Sequence, residues 1–417
     1  MRARWWVAVV ALAAAGVGAW WSQRDPWYTH GFDARSREWV AGLARQAVHD
    51  HHVAGVTVLL HHRGERVFAV SRGHADMATE RLFTEDTPLR IASMTKPILA
   101  TAALVLVHRR AVDLDVPVDR WIPELSSLEV RNRWGKVPAP TLRQLLTHTA
   151  GLPGNAAKGI GALPGLEAVA LDDVALRVAE HGLIDRPGVR EKYSGYGYSL
   201  AALVIERAMD RPFPDALREV LLEPLGMGDT TYFPSASVVS ALAVPYRHAQ
   251  RGMVPRRIPP VLASDDVYNA AGGLISTPAD LERFWAFHAA GGRVGGAQLL
   301  DPALLGEMYA PAMPGSASGM GFNLDDVGDD GVARAIEHGG ASGVYGWVDF
   351  DNEVMGLVLS QTSTKNNRRY RWKIIDAFTR IVTERWGGDL VGLGAGDVLG
   401  EDEGVPEDVD EGPSNAD

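Results

Sequence analysis

Ile91-Ala92-Ser93-Met94-Thr95-Lys96-Pro97 sets a serine and a lysine three residues apart where an apolar helical run begins. Residues three apart on a helix share a face, so one turn would hold hydroxyl and ammonium side by side. A serine hydroxyl is a weak nucleophile until a neighbouring group accepts its proton, and a desolvated lysine, or a base held by that lysine, can serve. The pattern is short and cheap, so its meaning depends on what accompanies it.

Working outward, residues 34 to 49 carry helical apolar spacing (Trp39, Leu43, Ala47). Val56 to His62 and Arg66 to Ser71, around Gly64-Glu65, read as a hairpin. Helical periodicity dominates from Ser93 to about Ala208. Pro278 to Ala290 reads as a helix, and Val344 to Phe350 with Val354 to Gln361 as a second hairpin turning at Asp351-Asn352. Residues 373 to 385 close the pattern as an amphipathic helix. Strands near both ends with helices between them predict an α/β (α+β) fold: one antiparallel sheet flanked by helices, made from both termini, with an inserted all-helical domain. The sheet part is expected over about 30 to 92 and 268 to 386, within a domain of residues 25 to 390, and the helical part over about 93 to 267.

The chain has 417 residues, 46% of them hydrophobic and 22% charged, enough for one large core or two smaller ones. Its net charge of −11 belongs mostly to residues 397 to 417, which hold nine acids and no base; without those nine the remainder stands near −2. No basic stripe is interleaved with aromatics, so nucleic acid is not an expected partner. Residues 391 to 417 cannot support a core and are expected to be a disordered tail. There is no cysteine, which removes disulfides, thiolate metal sites and a cysteine nucleophile. The pairs His51-His52 and His61-His62 lack carboxylates at ligand spacing, and no metal or cofactor is expected.

At the N-terminus, Arg2 and Arg4 precede an uncharged run from Trp5 to Trp21, closed by Arg24. Tryptophans at both ends favour the membrane interface. Residues 1 to 24 therefore read as a signal-anchor, with residues 5 to 21 in membrane contact and everything from Asp25 onward outside the cytoplasm. Cleavage after Ala19, releasing a secreted protein, is the alternative.

A third partner for serine and lysine lies in Glu191-Lys192-Tyr193-Ser194-Gly195, where a tyrosine beside an ammonium could serve as a base. A fourth element is His338-Gly339-Gly340-Ala341. Glycines there would let a substrate lie against a strand edge, and the Ala341 N–H with the Ser93 N–H would stabilise an oxyanion. His338 could polarise the site or carry a proton.

Ser-x-x-Lys, then Tyr-Ser-x, then His-Gly-Gly, in that order, resembles the penicillin-recognising serine hydrolases, closest to their class C β-lactamase-like branch. That branch also holds family VIII carboxylesterases, D-amino-acid peptidases and cell-wall carboxypeptidases. Asp86-Thr87-Pro88-Leu89-Arg90, Thr141 to Leu152, Pro224-Leu225-Gly226-Met227 and Ala271 to Asp280 add to the resemblance, which spans about residues 35 to 385. It implies a β-lactamase/transpeptidase-like fold with Ser93 as nucleophile, Lys96 as its electrostatic partner, Tyr193 as general base and Ala341 as an oxyanion donor. It also implies substrate contacts at Gly195, Gly339 and Gly340.

Two departures narrow the expected activity. Where the family has Tyr-x-Asn, this chain has Tyr193-Ser194-Gly195, and where dedicated β-lactamases have Lys-Thr-Gly it has His338-Gly339-Gly340. Both tilt toward neutral esters: a small-molecule ester or acyl substrate is the expected partner. A D-alanyl carboxypeptidase, D-aminopeptidase or weak β-lactamase acting on a cell-wall peptide or β-lactam is the alternative, and a non-catalytic cell-wall-binding protein a third. No intact G-x-S-x-G is present; the nearest stretch, Gly197 to Ala201, enters a helical run, so Ser199 reads as helix packing. His148, within Leu-Leu-Thr-His-Thr-Ala-Gly-Leu, reads as a polar group closing a helix end near Gly151.

Overall fold

The computed structural model describes residues 33–131, 135–154, 170–249, 252–256 and 267–386. The expected anchor at residues 5 to 21 and the acidic tail lie outside the described residues, as do residues 155 to 169 and 257 to 266. Among the described residues, no helix is long and apolar enough to cross a membrane.

Helix α1 (Ala34–His49) starts at Asp33, whose carboxylate accepts the Ser36 N–H, a side-chain cap for an otherwise unsatisfied donor. It is followed by β1 (Gly55–His62), β2 (Glu65–Asp76) and β3 (Arg81–Leu82). After the helical middle of the chain come β4 (Asn323–Val327), β5 (Ala333–Gly339), β6 (Val344–Asp349) and β7 (Val354–Ser360). These seven strands form one antiparallel sheet in the order β4-β5-β6-β7-β1-β2-β3, so the first strand of the chain pairs with the last, Val58 opposite Val358. That pairing joins the two ends of the chain into one unit.

The side-chain period of two sorts β1 and β7 between two cores. Val56, Val58, Leu60, Val354 and Val358 face a layer made by α1 and the closing helix α7 (Thr364–Trp386). Leu59, Met355, Leu357 and Leu359 face the opposite, larger core, which contains α2 (Thr95–His108) and α6 (Pro278–Ala289). With both faces covered, β1 and β7 read as continuous apolar runs instead of alternating ones.

From Thr95 to Leu106 every residue of α2 is buried, as expected of a helix apolar on all sides. Against it packs α5 (Gly195–Met209), which in turn is flanked by α3 (Leu142–Leu146) and α4 (Leu171–His181). A Thr141/Gln144 capping box fixes the start of α3. Gly197 lets α5 approach the end of α3 so closely that a Cβ there would stand 2.8 Å from the Leu145 carbonyl oxygen.

Three expectations are corrected. The closing helix begins at Thr364 rather than residue 373. The sheet gains an unexpected pair, β4 and β5, joined by an Asp-rich turn. His338 and Gly339 end strand β5, just ahead of the second hairpin. Within the stretch expected to be helical, Tyr246–Ala249 and Gly252–Pro255 form a ribbon whose Tyr246 N–H bonds to Gln361 beside the sheet, 2.8 Å away.

Candidate active site

Ser93 lies in a single 3₁₀ turn, Ala92–Met94, that runs straight into α2. The residue before it, Ala92, has φ +46°, a left-handed conformation that an alanine adopts only when its surroundings impose it. Those surroundings are backbone. The Ile91 N–H bonds to the Leu274 carbonyl at 3.2 Å, and Leu89–Arg90 pairs with Ile275–Ser276. On the other side Gly340 packs against the Ile91 carbonyl, where a Cβ would come within 2.2 Å of the oxygen.

Lys96, only 2% exposed, donates from Nζ to Ser93 Oγ at 3.1 Å. The same ammonium stands 4.5 Å from the centre of the Tyr193 ring and 5.9 Å from that of Tyr198. Tyr193 is half-buried in the loop that ends where α5 begins. The pair expected from spacing alone and the tyrosine 97 residues further on therefore converge on one ammonium. A buried ammonium between a hydroxyl and a phenol favours the anionic forms of both.

His338 is buried at the end of β5 and faces the Ser93 carbonyl, but neither ring nitrogen makes a hydrogen bond of ordinary geometry with a described residue. Burial, helped by the charge of Lys96, lowers its pKa to about 3, so it is a neutral imidazole at any working pH. Strand β4 pairs with β5 only as far as Asn323 opposite Glu337. The His338 to Gly340 end thus projects past that neighbour, and the strand edge expected there exists only over these last residues. Ala341 is exposed in the turn that follows, closed by the Gly343 N–H on the Gly340 carbonyl at 2.9 Å. Through the Gly340–Ile91 contact this turn lies against the segment carrying Ser93. Gly339 packs more loosely, its nearest neighbours being Tyr345 and Val344. Gly195 is buried as the first residue of α5.

A wall of the site comes from the stretch before β4. Ser316 donates to Glu191 at 2.6 Å, and Gly321, at φ +83°, packs on the Pro97 backbone. This ties residues 316 to 321 to both the tyrosine loop and α2.

His148, assigned by sequence to closing a helix end, belongs to the site. Its carbonyl accepts the Lys192 N–H at 2.8 Å and its Nδ1 accepts the Ser194 N–H at 3.1 Å, while its ring lies 4.4 Å from that of Tyr193. Burial, with the charge of Lys96, lowers its pKa to about 3. No local spacing connects it to Tyr193, 45 positions away. The other histidines set aside are occupied elsewhere: His61 pairs with Glu282, which also binds Arg66, and the His52 ring lies 4.3 Å from that of Tyr370. Ser199 is buried inside α5. Among the described residues, no three His, Asp or Glu side chains are grouped to hold a metal ion.

The family model described as beta-lactamase matches residues 40–379. Esterase EstB of Burkholderia gladioli is 30% identical over 366 residues, covering 76% of this chain and 88% of its own. The D-alanyl-D-alanine-carboxypeptidase/endopeptidase AmpH of Escherichia coli K12 is 30% identical over 199 residues, 48% of each chain. Among solved structures, EstCE1, described as a hydrolase with promiscuous acyltransferase activity, superposes with a TM-score of 0.73 at 21% identity, over 82% of this chain and 98% of its own.

Proposed function

The chain belongs to the beta-lactamase family of serine hydrolases, and from that premise we propose that it is a carboxylesterase acting on small neutral esters through an acyl-enzyme on Ser93. Ser93 Oγ attacks the ester carbonyl carbon and its proton passes to Tyr193, with Lys96 stabilising the negative charge that moves between the two oxygens. The Ser93 and Ala341 N–H groups hold the carbonyl oxygen as it becomes an oxyanion. The tetrahedral adduct collapses by breaking the bond to the alcohol oxygen, which takes the proton from Tyr193. Water, deprotonated by the same phenolate, then attacks the acyl carbonyl carbon; the bond from that carbon to Ser93 Oγ breaks, Oγ takes the proton back from Tyr193, and the acid leaves.

The observation that carries the choice of ester is the neutral, buried His338. A substrate carboxylate such as that of a β-lactam or a peptide C-terminus is held best by a fixed cation, and His338 supplies none. Gly195 likewise offers no side-chain amide to an acyl-amide substrate. Similarity to esterase EstB supports the same reading, whereas similarity to AmpH over half the chain favours a carboxypeptidase as the second reading. One preparation assayed with a chromogenic butyrate ester, nitrocefin and a D-alanyl-D-alanine peptide separates them; the reading fails if either of the latter is turned over faster than the ester.

We also propose that the enzyme works outside the cytoplasm, on the strength of Arg2, Arg4 and the uncharged run from Trp5 to Trp21. A fusion of residues 1 to 40 to a reporter active only after export tests this; an inactive reporter overturns it.

A further inference from the structure

The site lacks the asparagine that its family places two residues after the tyrosine, yet Tyr193 faces Lys96 at close range. What holds it there is the end of α3 and the turn after it. Their backbone and the His148 side chain grip the tyrosine loop and the first turn of α5 at four points. The His148 carbonyl takes the Lys192 N–H, His148 Nδ1 takes the Ser194 N–H, Gly197 abuts the Leu145 carbonyl, and the Tyr198 hydroxyl donates to the Leu146 carbonyl at 2.8 Å. The first two bonds hold the residues on either side of Tyr193, so a single residue anchors the backbone before and after the phenol, and its ring packs on the phenol ring.

We propose that His148 is the positioning residue of Tyr193: by holding the N–H on either side of it and packing against its ring, His148 sets the distance between phenol and ammonium on which proton transfer from Ser93 depends. This rests on Tyr193 being the base.

Two further features fit. His148 has φ +60°, a conformation costly for a non-glycine residue and tolerated here in exchange for aiming Nδ1 at Ser194. An Nδ1 that accepts a hydrogen bond also requires the proton to be on Nε2, so the ring works as a neutral imidazole. Its surroundings enforce that state: burial first and then the charge of Lys96 from α2 oppose its protonation, while the neutral His338 from β5 and the rings of Tyr193 and Tyr198 add no opposite charge.

The test is the acylation rate constant, from the pre-steady-state burst with a chromogenic acetate, measured from pH 5 to 10 for wild type, His148→Ala, His148→Phe and His148→Asn. Asparagine tolerates positive φ and places its carbonyl oxygen where Nδ1 lies; alanine removes the acceptor and the ring, phenylalanine only the acceptor. Misplacing a reacting group by about 1 Å costs roughly 10²-fold. His148→Ala and His148→Phe are expected to lose about that much in acylation rate, with KM little changed and the pH limb of acylation displaced, while His148→Asn recovers most of the rate. A folded His148→Ala enzyme with wild-type rate and an unmoved limb overturns the proposal, as does a His148→Asn enzyme no better than His148→Ala. Ser93→Ala run alongside separates the two levels: retained turnover in that variant overturns the hydrolase reading itself. If the variants do not fold, ¹⁵N imidazole shifts of the wild-type protein decide. The His148 ring, told apart from that of His338 by the signal lost in a His338→Gln protein, is expected as the Nε2–H tautomer at pH 7; an Nδ1–H tautomer or an imidazolium overturns the proposal.

Discussion

Gly340 rests directly on the carbonyl oxygen of Ile91, two residues before Ser93, at a distance where a Cβ would come within 2.2 Å of that oxygen. This contact joins the turn that carries Ala341 to the turn that carries Ser93, so the two N–H groups assigned to the oxyanion are set by one backbone packing. Neither partner can yield as a flexible side chain would.

Gly340→Ala is therefore expected to separate the two donors. Overpacking of this kind costs about 1–3 kcal/mol of stability, and loss of one oxyanion donor costs about 10²–10³ in kcat. Thermal melting and kcat on a butyrate ester check both; a wild-type kcat in a folded variant would place the oxyanion hole elsewhere.

Lys96 is buried and donates to Ser93 Oγ. Lys96→Met should lower the acylation rate by roughly 10²–10⁴-fold. The change leaves no unpaired charge in the core, and replacing a buried ion by an apolar chain of similar volume is often neutral or stabilising. The expected outcome is an unchanged or higher Tm together with lost acylation, measured on the same sample.

Three histidines, His148, His288 and His338, are buried and hold pKa values of about 3, chiefly through burial. Unfolded, each titrates near 6.5. Between those values the unfolded chain binds protons that the native chain does not, so each stabilising contribution is fully present above about pH 6.5 and shrinks as pH falls toward 3, at about 1.4 kcal/mol per pH unit per histidine. Glu337 works in the opposite direction: burial raises its carboxyl to about 7, so between about 4.5 and 7 the native state binds the extra proton. Asp280 and Asp349, raised by burial, act in the same direction as Glu337 at the acid end of that range; the three histidines therefore leave a net rise of stability that is clearest toward pH 6.5. Thermal melting over that range should show Tm climbing, and His288→Phe, far from the chemistry in role, should flatten the slope.

Much of this fold was legible because its signals are local. Helix α1 came out with its own bounds from apolar spacing, and β1, β2, β6 and β7 from β-branched runs broken by Gly64 and by Asp351-Asn352. Strands β4 and β5 escaped because their stretch is crowded with Asp325, Asp326, Asp329 and Asp330, and because Glu337 interrupts the alternation on a half-buried position. The first turns of α7 escaped for a related reason. Thr364 to Arg369 is polar, and helicity there is stabilised by packing of Tyr370 and Arg371 onto the sheet layer, which is tertiary and leaves no periodic trace. At the site, Ser93 and Lys96 were readable from one helical turn. His148 was not, because its importance lies in hydrogen bonds to residues 192 and 194 that only the folded chain brings near.

Gly195 stands at the first position of α5, where the family carries the asparagine side chain. Gly195→Asn should raise turnover of nitrocefin relative to a butyrate ester, by at least about tenfold if the amide contributes a hydrogen bond of about 1.4 kcal/mol to the acyl-amide transition state. The ratio of the two kcat/KM values is the quantity to measure; an unchanged ratio means that ester preference is set elsewhere in the cleft.

The central claim is that Ser93 forms the acyl-enzyme. Intact-mass measurement of the quenched protein after mixing with a slowly hydrolysed ester, followed by peptide mapping, tests it most directly. The account predicts a single acyl adduct, carried by the peptide containing Ser93 and absent from Ser93→Ala. An adduct on any other residue, or undiminished ester turnover by Ser93→Ala, would contradict it.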